Sequence, residues 1–407
     1  MKITFFAGEF PYPPLYGGTA DTWGRVKALS KLGQAIQLVS WVRDGARPSA
    51  AAMDHVKNRV SDAVVLTFNS SLWSQLFRLA LLPCKPIFAS ARQMPKEGLA
   101  ELDEKIAAFG PDVLWVDNFT ITTLAQKYAR QLGRPLVVRS QNIEHKYQEG
   151  LLSAERVGWK RLKSRVKQYG LKEYETRALN SADMFFDISL DDLAFWRDRN
   201  VGRGEWLPPI IDQNTDDLQG PATGGQEFDL AYLGSLGVST NISGLRWFYE
   251  SVLPVVRVEK PDLSVVIGGS RPTAEIERII RSDPRSVLKT NVAHPSDVWN
   301  AGRVLINPVL EGSGMNVKSA EMLFYPQPLV GTPLAVRGMP PQARQQFLIG
   351  AKPAEFAECI MKALSGEYRR EGVDEARAFF DIRRAEMLVE SLTDLCKARS
   401  QPARCLA

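Results

Sequence analysis

The sequence predicts an α/β protein of two Rossmann-like, doubly wound domains facing each other across a cleft. Three observations predict it. The chain has 407 residues, enough for two domains of about 150 to 200 residues that each enclose a core. Short apolar runs alternate with helix-length segments in both halves. A polar, glycine-rich stretch, Gln213 to Glu227, separates the halves and reads as a linker.

In the first half, Lys2 to Ala7 reads as a buried strand. A Pro- and Gly-rich loop follows, then a helix from Thr19 to Leu32 that Gly33 ends. Ala35–Val42, Val113–Val116, Leu136–Arg139 and Met184–Ile188 read as further strands. Leu72 to Leu82 is more apolar than its flanks and is either a core helix or an exposed patch. From Ser153 to Arg177, Lys and Arg outnumber Glu, while Trp159, Leu162, Val166, Tyr169 and Tyr174 recur near helical spacing. This predicts one basic amphipathic helix. Its apolar stripe either packs on the domain or lets the segment meet anionic lipid headgroups or a charged glycan carrier.

The second half repeats the opening: Leu230–Leu233 as strand, the loop GSLGVSTN, and a helix from Ile242 to Val255. Ser264–Ile267, Val287–Thr290, Val304–Asn307 and Gln327–Val330 complete its strands. Glu371 to Lys397 is helix-prone, with Phe379, Phe380, Met387, Leu388, Leu392 and Leu395 as an apolar stripe. The expected divisions are 1–207, 208–370 and 371–407.

Composition narrows the function. Fifty-one Lys+Arg against 46 Asp+Glu give +5, too mild a balance for a nucleic-acid-binding face. Four cysteines without paired spacing and three scattered histidines predict neither a disulfide framework nor a histidine-rich metal site and fit a reducing cytoplasm. MKITFFAG meets Pro11 too soon for a signal peptide, and no apolar run nears the roughly 18 residues of a membrane span.

The chain's chemistry concentrates between Val304 and Pro326, VLINPVLEGSGMNVKSAEMLFYP. It reads as strand, glycine loop and helix. Gly312 and Gly314 let backbone N–H groups approach a ligand, and a helix start favours phosphate; the same loop could be no more than a turn. Lys318 and Glu321, three apart, can share a helix face. The string GSGMNVKSAEML, Gly312 to Leu323, resembles the G-G-G-T-R-L-K-x-x-E-A-L pattern of retaining GT-B glycosyltransferases of family 4, with Gly312, Gly314, Lys318 and Glu321 in register. The resemblance implies a two-domain GT-B fold, Glu321 on the donor ribose, Lys318 facing the donor diphosphate, and a last segment crossing back to the first domain. Where many relatives carry a second glutamate eight residues earlier, this chain has Ser313, with Glu311 two positions away.

Other sites follow the same logic. Tyr16-Gly17-Gly18-Thr19 opens a helix after the first strand, so Gly17 and Gly18 border either donor phosphates or a plain sharp turn. It is no GxGxxG fingerprint, which disfavours nicotinamide binding. Gly234 and Ser235 resemble the family's phosphate loop, but Ser239, Thr240 and Asn241 stand where relatives place Arg and Lys; Arg271 is a further candidate for that charge. Asp117 could orient or deprotonate an acceptor alcohol, with Asn118 beside it. Asn142 and Glu144 resemble the family's H-N-x-E stretch, with Gln141 for its histidine; a helix cap by Asn142 explains them as well. His145 is a weaker candidate for a general base.

The expected protein is therefore a metal-independent, retaining hexosyltransferase without a cofactor. Its donor is a nucleotide-diphosphate sugar, UDP or GDP, held by Gly17, Gly18, Gly234, Ser235, Glu311, Gly312, Ser313, Gly314, Met315, Asn316, Lys318 and Glu321. Lys318, Glu321 and Asp117 are the expected catalytic residues; Asn118, Asn142 and Glu144 serve the acceptor, a glycan or lipid-linked glycan of polysaccharide assembly. The expected location is cytoplasmic, peripheral at the inner face of the membrane. A sugar-nucleotide epimerase and a catalytically inactive sugar-nucleotide-binding scaffold are the alternatives.

Overall fold

The computed structural model describes residues 1–68, 73, 76, 79–80, 86–87, 96–154, 158–212, 226–292 and 294–400. Most of the expected linker and parts of the apolar stretch 72–82 lie outside these residues. The chain forms two compact units. One holds Met1–Pro14, Asp21–Pro208 and Arg384–Ala407; the other holds Leu15–Ala20 and Pro209–Arg383.

The first unit is built on a seven-stranded sheet: β1 (Lys2–Ala7), β2 (Ala35–Arg43), β3 (Asp62–Phe68), β4 (Val113–Val116), β5 (Leu136–Ser140), β6 (Met184–Asp187) and β7 (Gly204–Trp206). Their order is β3-β2-β1-β4-β5-β6-β7, and every pairing is parallel. Helices cover a parallel sheet on both faces, so its central strands are continuously apolar. β4 shows this in four residues, VLWV, all buried. Phe6, Val39, Leu114, Val116, Val138 and Trp196 form part of the core.

The second unit has six strands: β8 (Phe228–Leu233), β9 (Val265–Gly269), β10 (Ser286–Thr290), β11 (Gly302–Asn307), β12 (Leu329–Gly331) and β13 (Phe347–Ile349). The order is β10-β9-β8-β11-β12-β13, again all parallel. Leu230, Tyr232, Val265, Ile267, Val304, Ile306 and Phe356 lie in its core. Each sheet reverses its order at one point, between β1 and β4 in the first and between β8 and β11 in the second. In open α/β sheets the crevice at such a reversal, beyond the strands' carboxyl ends, receives ligands.

Two expectations need correction. The basic segment is not one helix: helices Gly158–Gln168 and Leu171–Asn180 meet at Gly170, whose φ of 65° ends the first. Nor is Leu162 a buried stripe residue, because it and Tyr169 are exposed. The segment after Glu371 likewise divides into helices Val373–Ala378 and Arg383–Ser400. Phe380, Leu388, Leu392 and Leu395 are buried there, whereas Met387 faces outward.

Candidate functional site

In the second unit the reversal point brings the loop after β8 against the helix that follows β11. β11 runs into residues 308–316 and then the six-residue helix Val317–Met322. Gly312 has φ 142° and Gly314 φ 70°, conformations that a Cβ strongly disfavours. Glu311 and Gly312 are exposed, Ser313 and Asn316 half-buried, Gly314 and Met315 buried. Asn316 starts the helix without a side-chain bond to it. Asn307 Nδ2, at the end of β11, donates to Ser319 Oγ at 2.8 Å and ties helix to strand.

Lys318 is the centre of this arrangement. Its ammonium lies 3.9 Å from the centroid of the Tyr232 ring, within cation–π range. It also lies 3.5 Å from Asn241 Oδ1, a long contact, while Asn241 Nδ2 donates to the Ser235 carbonyl at 2.9 Å. The close approach is to Gly234: a Cβ there would sit 2.9 Å from Lys318 Nζ and 2.8 Å from the Tyr232 hydroxyl. Glycine is thus required where the loop passes over the ammonium. Burial pushes the Lys318 pKa down to about 7, with Glu321 opposing the shift. Burial also raises the Tyr232 phenol, whose oxygen has no hydrogen-bond partner among the described residues.

Glu321 sits on the same helix, half-buried. Arg271 is exposed in the loop after β9; with φ 52°, its carbonyl lies where a Cβ on Gly237 would approach to 2.9 Å. Gly17, grouped with this unit, leaves room for Val317, whose Cγ2 would be 3.4 Å from an added Cβ. Gly18 is half-buried. Thr19 Oγ1 accepts from Leu15 N and donates to the Tyr16 carbonyl, which closes that turn.

The candidate residues of the first unit are held by hydrogen bonds to their neighbours. Asp117 follows β4 and is buried. Its Oδ1 accepts from Arg25 Nη2 at 2.6 Å and from Trp115 Nε1 at 3.0 Å, and its Oδ2 accepts from Thr22 Oγ1. Both carboxylate oxygens are thus engaged by neighbouring side chains. Arg25 and Arg139 both pair with Asp21, and all four groups are buried. Burial works against the Asp21 carboxylate, yet Arg139 and Arg25 more than offset it and hold its pKa below the usual value. Asn118 caps the turn Phe119–Ile121 by accepting from Thr120 N at 3.0 Å.

Asn142 does not cap the helix Glu144–Ala154. Glu175 does, accepting from Glu144 N at 2.7 Å and His145 N at 3.2 Å, with His145 Nδ1 2.6 Å away. Asn142 Nδ2 and Gln148 Nε2 instead hold the two oxygens of Glu144, whose pKa burial raises. His145 is buried in this cluster.

Tyr232, Arg25, Asp21, Arg139 and Glu175 escaped the sequence reading. Tyr232 looks like any apolar strand residue, Asp21, Arg25 and Glu175 sit in helices where solvent exposure was the natural assumption, and Arg139 lies near the end of β5. Among the described residues no cluster of His, Cys, Asp and Glu is placed to hold a metal ion.

No known family profile matches the chain. A protein of Klebsiella pneumoniae described as an uncharacterized 44.6 kDa protein in cps region is 23% identical over 386 residues, covering 90% of this chain and 92% of that protein. Sucrose-phosphate synthase from Thermosynechococcus elongatus superposes with TM-score 0.67 at 13% identity, over 98% of this chain and all of the other. Anabaena Alr3699/HepE, solved in complex with UDP, gives 0.61 at 12% identity, over 97% and 100%. With parallel sheets of seven and six strands and these neighbours, the chain has the GT-B glycosyltransferase fold.

Proposed function

We propose that this protein is a retaining, metal-independent hexosyltransferase that moves a sugar from a UDP- or GDP-sugar to a hydroxyl of a glycan or lipid-linked acceptor. The observation that carries this reading is the Lys318 ammonium held against Gly234 at the β8/β11 reversal, on the helix that follows a loop with positive φ at Gly312 and Gly314. A diphosphate there would meet one cation and backbone N–H groups. A phosphate beside Lys318 favours its protonated form, so charge growing on the leaving diphosphate is stabilised where it develops. Glu321 is the assigned ribose ligand. The acceptor oxygen bonds the sugar carbon as the carbon–phosphate oxygen bond breaks on the same face, and the departing phosphate takes the acceptor proton. No protein base is required, which suits the engaged state of Asp117.

UDP in the HepE structure supports a UDP donor, and the description of the Klebsiella relative supports a place in polysaccharide assembly. Exposed Leu162 and Tyr169, with exposed Arg161, Arg165, Lys167 and Lys172 around them, support a peripheral site on an anionic membrane. The test is calorimetric binding of UDP, GDP, dTDP and their sugars to the wild type and to Glu321→Ala. Saturable binding of one nucleotide, weakened at least tenfold in the variant, is the expected result. Binding by none removes the reading, and binding without turnover on any acceptor moves it to the inactive scaffold.

A further inference from the structure

The helix bearing Lys318 and Glu321 cannot hold itself in place. Six residues leave few intrahelical hydrogen bonds, and isolated helices this short do not persist in water. Its far end runs into Leu323–Gln327, where Pro326 supplies no N–H. Three carbonyls there point at one guanidinium. Arg370 Nη2 donates to the Leu323 carbonyl at 3.0 Å, and Nη1 donates to Tyr325 at 2.6 Å and Gln327 at 3.1 Å. Arg377 Nε adds a second bond to Leu323 at 2.8 Å.

Arg370 is itself fixed. Gln346, buried, donates to the Glu371 carbonyl at 2.6 Å, accepts a long 3.4 Å contact from Arg370 Nε, and its own carbonyl accepts from Tyr368 at 3.3 Å. Burial, with Arg377 adding to it, brings the Arg370 pKa down to about 10, so the group stays charged at neutral pH. A cation at a helix carboxyl end also complements the helix dipole.

We propose that Arg370, assisted by Arg377, is a positioning residue for the site. By gripping the carboxyl end of the Val317–Met322 helix, it sets how far Lys318 reaches under Gly234 and over Tyr232. Arg370 touches no reacting atom in this assignment. Its importance to donor chemistry rests on the proposed function, but its effect on Lys318 does not.

The test reads Lys318 directly. Reductive methylation with ¹³C-formaldehyde labels the lysines of the full chain, and the Lys318 signal is identified by its loss in Lys318→Arg. Its titration midpoint is then followed by NMR in the wild type, Arg370→Met, Arg370→Lys and Arg377→Met. In the wild type Lys318 titrates well below the surface lysines. Arg370→Met raises the midpoint by at least one unit as the ammonium leaves Tyr232 and becomes hydrated; Arg370→Lys and Arg377→Met raise it less. Cooperative melting shows which variants are folded. A folded Arg370→Met with the wild-type midpoint overturns the proposal. If that variant does not fold, unchanged midpoints in both Arg370→Lys and Arg377→Met overturn it, as does a wild-type Lys318 that titrates with the surface lysines. A wild type that binds no nucleotide while Lys318 shifts as stated removes the donor reading and leaves this one standing.

Discussion

The Lys318 ammonium sits 3.9 Å from the centre of the Tyr232 ring, and Gly234 is the residue that lets it. An added Cβ at Gly234 would lie 2.9 Å from Nζ and 2.8 Å from the phenol oxygen. The lysine can swing away, whereas Tyr232 is fixed in the sheet. Gly234→Ala should therefore fold, with a loss of about 1–3 kcal/mol, the usual range for overpacking, since Tyr232 cannot move as freely as the lysine. It should weaken nucleotide binding roughly tenfold, because a displacement worth about 1.4 kcal/mol is enough for that factor. Denaturant unfolding and calorimetry on the same preparation check both halves. Wild-type affinity in the alanine variant would show that the close approach plays no part in binding.

The protonation of Lys318 makes binding depend on pH. With a pKa of about 7 in the free site, the ammonium is mostly neutral at pH 8.5. Affinity for UDP or GDP should fall as pH rises above 7, by roughly tenfold per unit until the bound-state pKa is reached. Stability moves the other way. Between about 7 and the ordinary value of 10.5, the unfolded chain binds the extra proton, so the unliganded fold gains stability as pH rises through that window. The cost of burying the charge is complete below pH 7. Lys318→Met should raise the melting temperature at pH 6 more than at pH 9, by roughly 2–4 °C for each kcal/mol relieved. A pH-independent effect of the substitution on both melting and affinity would contradict the buried-ammonium account.

Asp117 separates a structural role from a catalytic one. Its carboxylate partners Arg25, and both side chains are fully buried. Removing one member of such a pair leaves an uncompensated charge and costs about 3–5 kcal/mol. Asp117→Ala should lower stability by that amount in urea unfolding. Whatever fraction stays folded at low temperature should retain turnover. An intact fold with turnover down a thousandfold would return Asp117 to the role of base.

The legible parts of this chain were the local ones. β1 and β4 announce themselves as apolar runs with the boundaries they have in the structure, because strands buried on both faces need no alternation. β7 and β13, three residues each, are too short for any pattern to show. The glycine loop was readable since Gly312 and Gly314 mark positive φ within one stretch. Tyr232 was not, because its partner Lys318 belongs to another strand-helix unit and nothing in local spacing links them. The clamp by Arg370 was hidden for the same reason. Gly170 was the visible sign that the basic segment breaks, and helical periodicity across it outweighed that sign.

That broken segment makes the last prediction. Among the described residues no helix is long and apolar enough to cross a membrane, and the proposed contact is a surface one. Arg161, Arg165 and Lys167 are exposed on helix Gly158–Gln168 beside Leu162, which is 63% exposed, and Tyr169, 57% exposed, follows at its end. A basic residue near an anionic bilayer contributes about 1 kcal/mol, and an exposed leucine that enters the interface adds a burial term of similar size. The double charge reversal Arg161→Glu/Arg165→Glu should therefore reduce sedimentation with phosphatidylserine-containing vesicles by more than tenfold and leave nucleotide binding unchanged. Leu162→Ser should weaken vesicle binding several-fold and remain effective at high salt, where the charge contribution is screened. If the wild type ignores anionic vesicles altogether, the exposed apolar residues belong to a different contact and the acceptor need not be membrane-bound.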